Sequence, residues 1–117
     1  MKKLLLITLW LMSFQLGAVP AYERGSSLLP DCKTAVASSD YDTGRCYRFI
    51  SSTVDTYASL LDWGQLKEEL FCLPDDLVSV SELVIVATSY LEDHPEKLSL
   101  GASRLILTAL REKFPCR

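Results

Sequence analysis

The sequence predicts an all-α fold, a small four-helix disulfide-bonded bundle, and three observations carry that prediction. Apolar residues recur at i, i+3, i+4 and i+7 through most of the chain, the spacing that gathers them on one face of a helix. No stretch alternates apolar and polar residues over strand length, and Asn-Gly turn pairs are absent. Four cysteines lie behind what reads as an export leader, a setting in which an even number of thiols pairs off.

The leader comes first. Lys2 and Lys3 make a basic start, residues 4–16 form an apolar run too short to span a bilayer comfortably, and Val19 and Ala21 stand at −3 and −1 of a cleavage site before Tyr22. The chain is therefore expected to divide into a signal peptide, residues 1–21, and one helical domain, residues 22–117. No cysteine follows the apolar run closely, so no lipid attachment is expected. After cleavage the domain should be exported, with no membrane contact.

In the domain, a first helix is expected over residues 26–37, with Pro30 tolerated in its first turn. Residues 38–42 read as a turn. From residue 43 to 61, Cys46, Phe49, Ile50, Val54, Tyr57, Ala58 and Leu61 form the buried stripe of a long amphipathic helix. Residues 62–76 are less regular, with Gly64 early and Pro74 late, and residues 67–71 are read as able to add a helical turn. Ser79 and Glu82 make a capping box that opens a third helix. Its apolar set is Val80, Leu83, Val84, Val86, Ala87, Tyr90 and Leu91, and Pro95 ends it by restricting His94. Ser99 is expected to cap a fourth helix carrying Ala102, Leu105, Ile106, Ala109 and Leu110, which Pro115 stops.

The hairpins predict the cysteine pairing. Folding the first two helices about Ser39 sets Cys32 and Cys46 level, seven residues either side of the turn. Folding the last two about Glu96 does nearly the same for Cys72 and Cys116. Cys32–Cys46 with Cys72–Cys116 is favoured over the other connectivities, and on the loop-entropy model the two closures stabilise by roughly 3 and 4 kcal/mol. A zinc site would call for close pairs such as C-x₂-C, which these spacings do not offer.

Little in the chain points to catalysis. The one histidine, His94, sits beside Pro95 at a helix end, where a carbonyl-capping role is expected. The adjacent acids Glu68–Glu69 and Asp75–Asp76 suit solvated positions, since neighbouring side chains on a helix diverge. Phosphate loops, metal motifs and nucleophile elbows are missing, so neither an enzyme nor a cofactor is expected. Losing Lys2 and Lys3 takes the formal charge from −3 to −5, which argues against nucleic acid and anionic membranes. A binding module remains. Tyr22 and Tyr47 are aromatic candidates, but the irregular connection gathers the best contact set: Trp63 as an anchor with Asp62, Gln65, Lys67, Glu68 and Glu69 around it.

The C-terminal half resembles the Rap/Tai immunity-protein family. The resemblance rests on Cys72-Leu73-Pro74, Tyr90-Leu91-Glu92-Asp93-His94-Pro95, Ala102, Ala109-Leu110 and Phe114-Pro115-Cys116, with Leu28-Leu29, Cys32 and Cys46 upstream. It covers residues 28–116. The second helix departs from the pattern, with Arg48 and Ser52 where the family tends to have small glycines. The resemblance implies a periplasmic, helical, disulfide-bonded homodimer. Its implied partner is a type VI secretion effector, a peptidoglycan amidase whose active site it occludes. A periplasmic holdase chaperone, exposing apolar surface in acid, is the alternative reading.

Overall fold

Four helices and two disulfides form where the periodicity places them. The computed structural model describes residues 20–74 and 78–117; the expected leader up to residue 19, and the Asp75–Asp76 pair, lie outside the described residues. The elements are α1 (Gly25–Ser38), α2 (Gly44–Asp62), α3 (Val80–Asp93), a 3-10 turn (Pro95–Lys97) and α4 (Ala102–Lys113).

Helix α1 closes on Ser39, which takes the left-handed conformation (φ 56°) and donates its N–H to the Ala35 and Val36 carbonyls. Pro30 is the sixth residue of α1 and not part of its first turn, which corrects the expectation. The helix tolerates it because the carbonyl that loses its partner belongs to Ser26, an exposed residue open to water. Helix α2 buries Cys46, Ile50, Thr53 and Tyr57, with Phe49, Val54 and Leu61 half-buried. Ala58 is exposed and Thr53 takes a core position in its place. The cost of burying that hydroxyl is met by a 2.9 Å bond from Thr53 Oγ1 to the Phe49 carbonyl.

Helix α3 begins as its sequence dictates. Ser79 accepts from the Glu82 amide while the Glu82 carboxylate takes the Ser79 N–H at 2.8 Å. It is the central helix and packs against the other three, which is why six of its fourteen residues are buried. Helix α4 buries all five expected apolar residues: Ala102, Leu105, Ile106, Ala109 and Leu110.

Two short expectations fail for one physical reason. Residues 67–71 make bends and no helical turn: the Leu70 amide donates to the Tyr57 hydroxyl at 2.7 Å, and the chain is held just beyond the segment where Cys72 N donates to the Phe114 carbonyl at 2.9 Å. Ser99 is no cap. Helix α4 starts after Gly101, and the Ala102 amide is satisfied by the carbonyl of distant Glu23 at 2.8 Å. Gly25 N and Ser26 N likewise donate to Leu100 and Leu98, so the start of α1 is stitched to the turn between α3 and α4. In both places long-range partners outcompete local ones.

Both disulfides pair as the hairpins predict. Cys32–Cys46 joins α1 to α2 inside the core, with Cα atoms 5.0 Å apart and both residues at most 1% exposed. Cys72–Cys116 ties the end of the α2–α3 connection to the C-terminus, with Cα atoms 4.9 Å apart. Around the first bridge the core is continuous through Leu28, Ile50, Val84, Ala87, Ile106 and Leu110. Arg45 adds a surface clasp, pairing with Glu23 and Asp31 across the α1–α2 junction.

Candidate partner-binding surface

The connection after α2 is built by a glycine. At the end of α2, Gly64 N bonds to the Leu61 carbonyl and Gln65 N to the Leu60 carbonyl, both at 2.9 Å, with Gly64 at φ 69°. That is a Schellman motif, and its left-handed position is one that a side chain rarely adopts. The motif turns the chain sharply and leaves Trp63, the residue before Gly64, 73% exposed. Beyond the turn the segment is pinned from below. Leu66 and Leu70 pack on the core, and Phe71 stacks on Tyr57 with ring centroids 4.6 Å apart.

Between these anchors the remaining side chains point outward. Asp62, Trp63, Gln65, Lys67, Glu68 and Glu69 are all exposed, so the six candidate contact residues lie on one tethered stretch. An indole with most of its surface in water is an unusual expense for a small domain unless something covers it. Beside the stretch runs an apolar groove between α2 and α4, about 300 Å³, walled by Phe49, Leu60, Leu66, Leu70 and Leu107. Ser52 lines this groove and Arg48 is exposed. Both departures from the glycine pattern therefore face outward, and neither obstructs packing within the chain. Sequence periodicity could not disclose the groove, because its walls come from three separate segments.

The other candidate chemistry resolves into structure. His94 Nδ1 lies 2.8 Å from the Tyr90 carbonyl, and its ring stacks on Tyr90 at 4.1 Å. A carbonyl only accepts, so Nδ1 carries the proton and the histidine caps α3. Glu69 Oε2 lies 2.9 Å from Cys72 Sγ. A disulfide sulfur has no proton to donate, so this is a contact and not a hydrogen bond. Nor do Glu69, Cys72 and Cys116 make a metal site, since both sulfurs are committed to the bridge. Tyr22 is 94% exposed and Tyr47 half-buried. No helix among the described residues is long and apolar enough to cross a membrane.

Compared with known proteins, residues 24–116 match the model of one family, described as Rap1a immunity proteins. No curated protein and no solved structure matches the chain. The match spans all four helices and both disulfides, including the exposed stretch around Trp63.

Proposed function

Because the chain belongs to the family of Rap1a immunity proteins, we propose that it is a periplasmic inhibitor of a type VI secretion effector, a peptidoglycan amidase that it blocks sterically. Family membership is the observation that carries this reading. Residues 1–21 act as a cleaved signal peptide that delivers the domain to the compartment where the cell wall is attacked. There the two disulfides let a small domain persist without a large core. The protein supplies no chemistry of its own.

Inhibition of this kind needs a tight complex, because protection requires nearly every effector molecule to be occupied. Nanomolar affinity corresponds to about 12 kcal/mol. A solvent-exposed indole on a tethered turn suits that demand: Trp63 can fill a catalytic cleft while the polar side chains around it set register. Holding the turn in place beforehand by Gly64, Leu66, Leu70 and Phe71 reduces the ordering cost on binding. A homodimer would present this element twice.

The test expresses the cognate amidase in the periplasm with and without this protein. Rescue from lysis that disappears when residues 1–21 are deleted, with competitive inhibition of stem-peptide cleavage in vitro, is the expected result. Lysis unchanged by the protein, or rescue that survives leader deletion, overturns the proposal. General suppression of aggregation in acid, without saturable one-to-one binding of the amidase, would favour a holdase.

A further inference from the structure

On the other side of Leu107 from the apolar groove lies a second, larger hollow of about 530 Å³. Its chemistry differs from that of the protein as a whole. Lys97, Arg104 and Arg111 stand around it, and no carboxylate lines it, on a chain with a net negative charge. Among the described residues the ion pairs are those of Arg45 with Glu23 and Asp31, so none of these three cations is in an ion pair there.

Of the two neutral polar side chains around the hollow, Thr108 gives its proton to the Arg104 carbonyl at 2.8 Å, and Tyr90 has a proton to offer. Tyr90, only 7% exposed, lines the hollow, and its hydroxyl accepts from Lys97 Nζ, another lining residue, at 3.4 Å. Its own O–H proton has no acceptor among the described residues. Lys97 is held above the Tyr90 ring, 5.8 Å from the centroid, which keeps the ammonium at the rim. Between these donors the walls are leucine: Leu70, Leu100 and Leu107. Three cations and a buried phenol with no facing acceptor call for an acceptor-rich occupant, and the leucine walls call for apolar side chains on that same occupant.

We propose that this hollow docks an acidic segment of the partner protein, a short run in which aspartate or glutamate flanks an aliphatic or aromatic side chain. The proposal rests on the immunity reading and deepens it by naming the partner's chemistry at one face. Charge complementarity selects the occupant. A polyanion such as nucleic acid would meet the repulsion of an acidic domain beyond the three cations, whereas a short acidic segment meets only the rim. Leu70 and Leu107 wall both the hollow and the groove, so the two recesses adjoin on one side of the connection that carries Trp63.

The experiment titrates the mature chain, residues 22–117, with an acetylated peptide Glu-Asp-Phe-Asp-Glu-Leu, followed by amide and side-chain NMR shifts. The expected result is shifts confined to the neighbourhood of Tyr90, Lys97, Arg104, Thr108 and Arg111. Binding should weaken as salt rises from about 0.1 M to about 1 M, where the Debye length falls from about 10 Å to about 3 Å. Arg104→Glu with Arg111→Glu should weaken peptide binding by about tenfold or more. Both residues are exposed, so the domain should still unfold in one cooperative transition, shifted by no more than the loss of a positive charge from the last turn of α4 entails, which separates lost binding from lost folding. Equal binding of the Gln-Asn-Phe-Asn-Gln-Leu peptide overturns the proposal, as does equal competition by inorganic phosphate. Shifts at these residues that depend on protein concentration without peptide would assign the face to a second copy and overturn it too. Amidase inhibition that survives both charge reversals but is lost with Trp63→Ala would reject this hollow while leaving the immunity reading in place.

Discussion

Replacing Gly25 with alanine sets two opposing effects against each other at one buried position. Gly25 opens α1, and its amide bonds to the Leu100 carbonyl at 3.0 Å. An added Cβ would sit 2.6 Å from Leu105 Cδ1, 3.2 Å from Leu98 Cδ2 and 3.3 Å from Leu98 Cα. Comfortable carbon–carbon contact is about 3.5–4 Å, so Leu105 must move by about 1 Å and Leu98 by a few tenths. Leu105 is 2% exposed, and the Leu98 backbone is held by the 2.9 Å bond from Ser26 N to its carbonyl. The Leu98 backbone has no room to give way, whereas the tip of Leu105, which also lines the 530 Å³ hollow, can turn aside only by giving up packing against its neighbours. Overpacking of this kind costs about 1–3 kcal/mol, whereas trading glycine for alanine in a helix returns about 0.5–1 kcal/mol, and less at a first position. The net expectation is a loss of up to about 2 kcal/mol, or a drop in Tm of up to about 16 °C for a domain this small. Thermal unfolding of the mature chain by circular dichroism measures it. In a Leu105→Ala background the worst contact is gone, so the same substitution should cost less. A raised Tm for Gly25→Ala alone, or an equal penalty in both backgrounds, would refute the reasoning.

Other expectations follow from the same geometry. Non-reducing peptide mapping should recover only Cys32–Cys46 and Cys72–Cys116, and removing either bridge by paired alanines should cost roughly 2–5 kcal/mol in urea unfolding. Ser79→Ala removes the Oγ that accepts from the Glu82 amide, while the bond from the residue-79 N–H to the Glu82 carboxylate can persist, and should cost about 1 kcal/mol in the same assay. Alanines at Trp63, Lys67 and Glu68 should leave the melting transition in place, because all three are exposed, while weakening partner affinity; calorimetry showing unchanged affinity would remove this stretch from the interface. Light scattering of the mature chain at micromolar concentration should report a dimer.

The sequence by itself determined the helices and the staples. Apolar spacing fixed which faces of α3 and α4 turn inward, and the Ser79–Glu82 box placed the start of α3 to the residue, because these signals act within a turn or two of chain. The disulfide pairing was legible as well, since two antiparallel hairpins leave each cysteine only one level partner. Tertiary structure decided what depends on residues distant in sequence. Helix α4 begins at Ala102 because Glu23 supplies the acceptor for its first amide, and residues 67–71 stay non-helical because Tyr57 takes the Leu70 amide and Phe114 holds Cys72 just beyond. Thr53 replaces Ala58 in the core because the facing elements set where the inward stripe of α2 lies. The candidate surface divides in the same way. The aromatic and polar residues of the connection could be read along the chain, and Gly64 hinted at the turn that exposes Trp63. The cationic hollow could not be read so, because Lys97, Arg104 and Arg111 become its rim only where the α3–α4 turn and the face of α4 meet Leu70 from the connection after α2. Local signals fix helices because their hydrogen bonds close within four residues; surfaces are made by contacts that only folding brings together.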